Sequence, residues 1–122
     1  MRSVLCLLLS LIAAPAWAEW SKVVEIAFYL DPDTIRVNGN VRSVWELQDL
    51  KVSDSQGALS RKILVEYDCR GERRRLISLT AHAGPMASGN VLVALNRASA
   101  WDSVASGTTA SAPLKFVCSW KP

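Results

Sequence analysis

The sequence predicts an α+β domain, mostly strand, with one helix at its C-terminal end and one disulfide. Three observations carry that expectation. Over residues 62–69, Ile63, Val65, Tyr67 and Cys69 alternate with Lys62, Glu66 and Asp68, Leu64 being the one lapse. A period of two marks a half-buried strand, and Ile77 and Leu79 resume it beyond a basic turn at residues 70–75 centred on Gly71. Further on, Ala112, Phe116 and Trp120 recur every four residues with Val117 beside them, the stripe of an amphipathic helix. Finally, only Cys69 and Cys118 follow the N-terminal leader described next, and two cysteines in an exported chain usually pair.

Residues 1–18 read as a cleaved signal peptide. Arg2 is a short basic start, residues 4–14 are almost continuously apolar, and Ala16-Trp17-Ala18 has the small-x-small form of a cleavage site. A spanning helix needs roughly 20 apolar residues; this run is shorter and meets Pro15. A lipid anchor needs a cysteine at the end of the apolar run, whereas Cys6 lies near its beginning and is discarded with the leader. No later stretch approaches spanning length, so the expectation is a soluble, exported single domain over residues 19–122. A domain of that size buries roughly two-thirds of its unfolded surface, enough for a core of modest stability.

The formal charge is +3, falling to +2 once Arg2 is removed. That excess does not mark a nucleic-acid binder, and none is expected. Five arginines between Arg61 and Arg75 nevertheless concentrate positive potential locally. Two readings stand side by side: a patch for acidic partners (sulfated polysaccharide, anionic headgroups, acidic protein surfaces), or solvated turn residues that keep a sheet edge soluble.

Taken in order, residues 20–30 form a first strand, with Val24, Ile26 and Phe28 on one face and Val23, Glu25 and Tyr29 on the other. Asp31-Pro32-Asp33-Thr34 is expected to stop it, because Pro32 presets φ and the flanking side chains bond nearby amides. A short strand over residues 35–37 leads into Asn38-Gly39, a two-residue hairpin signal of type I′. Residues 41–50 return as a strand with Val41, Trp45 and Leu47 toward the core, and residues 53–60 are a loop. After the central hairpin, its far arm runs to Ala83 and ends at Gly84-Pro85. Met86 lies in the loop closed by Gly89-Asn90, residues 91–95 are the last clear strand, and Trp101 is a packed aromatic. The helix falls within residues 108–120; Pro113 confines its start, and Ser111 is placed as its cap.

No catalytic constellation emerges. His82 is the sole imidazole, its alternation with Thr80 puts it on a polar strand face, and no ligand-spaced cluster surrounds it. Glu66 and Asp68 share a face like an acid/base pair, but charge pairing with the arginines across the hairpin accounts for them. Residues 84–89 lack the Gly-Lys-Ser ending of a phosphate loop. No cofactor and no metal are expected.

Several segments together resemble the surface-adhesin protein E family of Gram-negative bacteria. They are Asp31-Pro32-Asp33-Thr34-Ile35 with Val44-Trp45 and Asp49; Tyr67-Asp68-Cys69 with Arg75-Leu76; Met86 with Gly89; and residues 101–107 followed by Lys115-Phe116-Val117-Cys118. The resemblance implies a single antiparallel sheet of about six strands with the helix packed on it, a Cys69–Cys118 bond and no enzymatic activity. It further implies adhesion to host epithelium and capture of host matrix and serum proteins. This leader carries no lipobox, unlike the lipid-anchored adhesin of the family, so periplasmic, secreted and surface locations stay open. The residues expected to meet a macromolecular protein or acidic polysaccharide are Arg70, Arg73, Arg74 and Arg75, supported by Arg61 and Lys62, since guanidinium forks grip carboxylate and sulfate. Two alternatives remain: a periplasmic assembly protein, homodimeric through an edge strand, or a small inhibitor inserting residues 53–60 into a cleft.

Overall fold

The computed structural model describes residues 26–122; the expected leader and residues 20–25 of the first strand lie outside the described residues. Six strands, β1 (Ile26–Asn38), β2 (Val41–Leu50), β3 (Ser60–Asp68), β4 (Arg73–His82), β5 (Val91–Leu95) and β6 (Asp102–Ser103), form one antiparallel sheet. They stand in the order β1-β2-β3-β4-β5, with β6 pairing the N-terminal part of β4. The helix α1 (Ser111–Ser119) packs on one face. The expected α+β architecture is therefore what the chain adopts.

The first two expected strands are one. Asp31-Pro32-Asp33-Thr34 does not stop β1 but bulges it, the register with β2 shifting between Asp31 and Arg36. An edge strand tolerates Pro32 because its missing donor faces no second neighbour. The bulge also leaves the Trp45 N–H short of a carbonyl, and the Thr34 hydroxyl takes that place at 3.0 Å while donating to the Asp31 carbonyl at 2.7 Å. The hairpin that follows turns on Gly39-Asn40, one residue later than expected, since Asn38 already pairs with Val41. Gly39 alone has positive φ (63°), so only the first turn position is left-handed and the two-positive requirement of type I′ is not met.

On β2 the inward face is the reverse of the expected one. Val44, Glu46 and Leu50 are buried, whereas Trp45 and Leu47 lie on the helix-free side. On β3 the expected alternation holds: Ile63, Val65 and Tyr67 are buried. A bulge opposite Leu64 and Val65 skips Ile77, so Leu76 and Leu79, rather than Ile77 and Leu79, pack against the core. His82 is buried rather than exposed, its Nε2 sharing a hydrogen bond of 2.8 Å with the Thr80 hydroxyl.

The core joins Ile35, Val44, Ile63, Val65 and Tyr67 of the sheet to Val104, Leu114 and Val117. The helix turns Pro113, Leu114 and Val117 inward; Ala112 and Phe116 of the expected stripe are exposed, and Phe116 instead stacks on Trp120 with centroids 5.6 Å apart. Ser111 is the first helical residue, Ala110 holds the cap position without a side-chain bond, and Pro113 sits in the first turn where its missing N–H costs nothing. The other helix end is tied twice. The Arg42 guanidinium donates to the Val117 carbonyl at 2.9 Å, which also accepts the Trp120 N–H at 3.3 Å, and to the carbonyl of Trp120. Cys118 is bonded to Cys69 with Cα atoms 5.6 Å apart.

Candidate functional site

With the helix covering one face, the other face and the β3–β4 turn are what the sheet offers a partner. Alternation decides which arginines reach them. Arg73 and Arg75 point to the helix-free side, where Trp101 lies across both, its ring centroid 5.0 Å and 4.5 Å from the two guanidinium carbons. Trp101 is held there by β6, which pairs Ser103 with Arg73 and Asp102 with Arg74, and by the Ser99 N–H donating to the Leu76 carbonyl. The two arginines also pair with acids across the hairpin: Arg73 with Asp68 at 2.7 Å and Arg75 with Glu66 at 2.8 Å. Indole and carboxylates together fix the guanidinium planes.

Arg74 goes the opposite way. It faces Tyr67 in the register, its guanidinium carbon 6.0 Å from the Tyr67 ring and its Nη2 3.9 Å from the Glu46 carboxylate. The Tyr67 hydroxyl donates to the other Glu46 oxygen. Burial pushes the Glu46 carboxyl above the ordinary carboxylate range, against the Tyr67 hydrogen bond and the Arg74 charge, which pull it down. The Tyr67 hydroxyl is driven up in turn, by burial first and by the adjacent carboxylate. The sequence does not announce this cluster, because the larger apolar side chains of Trp45 and Leu47 point to the other face of β2 as the core.

The turn itself is preset. The Asp68 carboxylate accepts the N–H groups of Arg70 (3.1 Å) and Gly71 (2.9 Å), and these bonds, with Arg73, hold it below the usual carboxylate range. A Cβ on Gly71 would stand 2.7 Å from that carboxylate, so any other residue there must push the Asp68 side chain aside. Arg70 is exposed and, among the described residues, has no carboxylate partner. Arg61 lies at the far end of β3, paired with Asp54 at 2.8 Å and with Gln48 at 3.0 Å. Asp54 also accepts the N–H groups of Gln56 and Ala58, which folds residues 53–60 into a tight loop. Lys62, also far from the turn, sets its Nζ 4.8 Å from the centroid of Trp45. The six expected cations thus do not form one patch: Arg70, Arg73 and Arg75 share the turn and the helix-free face, Arg74 is turned inward, and Arg61 and Lys62 stand apart.

Beside Lys62 is an open groove of about 240 Å³. Trp45 and Leu47 lie between Tyr29 and Asp31 of β1 and Ala87 of the loop after β4. That loop carries two left-handed residues, Met86 (φ 53°) and Ala87 (φ 59°), pinned by the Met86 N–H to Asp49 at 2.7 Å and the Ala87 N–H to Ser60 at 2.8 Å. Among the described residues no group of three or more His, Cys, Asp or Glu side chains gathers as metal ligands.

A family model described as surface-adhesin protein E matches residues 17–119. Protein E of Haemophilus influenzae has a similar fold: in one crystal form the TM-score is 0.63 at 13% identity, over 75% of this chain and 79% of that one. Protein E from non-typeable Haemophilus influenzae gives a TM-score of 0.57 at 14% identity, over 78% and 71% of the two chains. No curated protein matches the chain.

Proposed function

The chain belongs to the surface-adhesin protein E family, and on that premise we propose that it is an exported, non-catalytic binding module that recognises an acidic macromolecule through its β3–β4 turn. The partner is an acidic face of a host matrix or serum protein, or an acidic polysaccharide. Residues 1–18 direct export and residues 19–122 are the working domain. One observation carries the reading: the turn presents Arg70, without a carboxylate partner among the described residues, and a partly exposed Arg73 on a backbone already fixed by Asp68, so little ordering entropy is lost on binding.

Arg70→Ser with Arg73→Ser is the test, and it leaves the inward-facing Arg74 alone. Binding to immobilised heparin, the probe, weakens about 10-fold, the loss expected for charge-assisted hydrogen bonds, and its salt dependence flattens. Unchanged retention by a variant with wild-type circular dichroism contradicts the proposal.

A second reading is favoured by β5, an edge strand whose Val91, Leu92 and Leu95 are 54%, 42% and 57% exposed. An apolar unpaired edge is a template for another strand, so self-association runs through β5 rather than through β1, which the Pro32 bulge deforms. Light scattering then gives a mass that rises with concentration and returns to that of one chain on Leu92→Lys; a mass invariant with concentration excludes the dimer.

A further inference from the structure

We propose that the groove between β1 and the loop at residues 84–89 binds a uronic-acid-bearing sugar unit of a polysaccharide chain, through Trp45, Lys62 and Asp31. The site is separate from the turn. Lys62 and Arg70 are eight positions apart, about 25 Å along an extended strand.

The walls are preorganised. Two consecutive non-glycine residues in the left-handed region are costly, and such strain persists where the surroundings over-determine it. Here Asp49 and Ser60 hold Met86 and Ala87 in that state, fixing one side of the groove. On the other side the β1 bulge is locked by Thr34, which bonds both Asp31 and Trp45. The groove therefore keeps its form without a ligand.

Its chemistry selects the occupant. A half-buried indole and a leucine make an apolar floor, and two ions stand beside it, neither with an ion-pair partner among the described residues: the Lys62 ammonium and the Asp31 carboxylate, whose Oδ1 accepts the Asp33 N–H at 3.1 Å. A pyranose matches this arrangement, with a face of C–H groups for the indole and rim hydroxyls for the Asp31 carboxylate. A carboxylate on the ring draws the Lys62 ammonium, now resting over Trp45, into an ion pair. A purely apolar ligand would bury the Lys62 ammonium without a partner. A peptide strand gains no ladder here, because the floor belongs to β2, whose backbone is already paired with β1 and β3. The volume, below the roughly 300–1,000 Å³ of drug-sized pockets, suits one ring of a passing chain.

Titration calorimetry of the full chain with a hyaluronan tetrasaccharide and with the uncharged cellotetraose tests this. The acidic sugar binds with a millimolar or lower Kd and the neutral one at least about 10-fold more weakly, the value of a charged contact. Lys62→Gln brings the two sugars to equal affinity, and Asp31→Asn weakens both. Trp45→Leu abolishes binding; where that variant misfolds, Lys62→Gln and Asp31→Asn decide alone. No heat with either sugar, equal binding of both by the wild type, or loss of binding in R70S/R73S but not in K62Q would overturn the proposal.

Discussion

Replacing both Cys69 and Cys118 by alanine lowers stability by about 4 kcal/mol, the largest single loss expected in this domain. The bond joins residues 49 apart in sequence, so its removal frees a long loop in the unfolded chain. Native domains of this size are stable by only about 5–15 kcal/mol, and the deficit moves the melting temperature down by roughly 15–30 °C. The helix is where the loss concentrates. It touches the sheet chiefly through Pro113, Leu114 and Val117, has no side-chain cap at its N-terminus, and carries no acid in its first turn and no base of its own in its last, where only Arg42 from β2 meets its carbonyls. Hydrogen exchange on the double variant therefore shows protection lost first over residues 111–119, while β2, β3 and β4 stay protected. Uniform loss across sheet and helix would show that the clip holds the whole fold rather than one layer on another.

Tyr67→Phe costs about 2–4 kcal/mol, because it strips the hydroxyl donor from a carboxylate that has almost no access to water. Arg74 does not compensate: it approaches only to 3.9 Å, and its own Nε is buried without a partner. The pH dependence follows from the directions of the shifts. Glu46 has a raised carboxyl pKa in the fold, so its contribution is complete below the ordinary value of 4.5 and is lost as pH rises through the folded value. Asp54 and Asp68 are depressed, so theirs is present above 3.8 and is lost as pH falls through their folded values. Stability of the wild type therefore declines on both sides. Glu46→Gln keeps an acceptor for the Tyr67 hydroxyl but removes the charge, so the decline above pH 4.5 flattens while the acid limb stays. Urea midpoints across that range check this; an unchanged alkaline slope in E46Q would show that Glu46 is not its source.

The parts of this architecture that were legible from sequence are those where local pattern and tertiary demand agree. Ile63, Val65 and Tyr67 alternate because one face of β3 is covered and the other is not. The acids of β3 and the arginines of β4 face each other because a hairpin sets their register. Other features depended on what lies across the sheet. Trp45 and Leu47 outrank Val44 and Glu46 in hydrophobicity, yet the second pair lies on the side that α1 packs against, and Glu46 is tolerated there only because Tyr67 and Arg74 reach it. Phe116 continues the helical stripe in sequence, but stacking on Trp120 holds it at the rim. As for the candidate site, clustering of the arginines was visible, and their separation followed from the same period-two rule that identified the strand: Arg74 lies between Arg73 and Arg75 and must face the other way. The groove was not visible at all, since it is made by a bulge in β1 and a strained loop more than fifty residues away.

Backbone chemical shifts of the isotope-labelled domain, followed as a hyaluronan or heparin fragment is added, test most directly that the uncovered side of the sheet and its basic turn are the recognition surface. The perturbed amides should fall on Arg70, Gly71 and Arg73 at the turn and on Trp45, Lys62 and Ala87 at the groove, with residues 111–119 unmoved. Shifts gathered on the helix, or none with either fragment at millimolar concentration, would contradict the account.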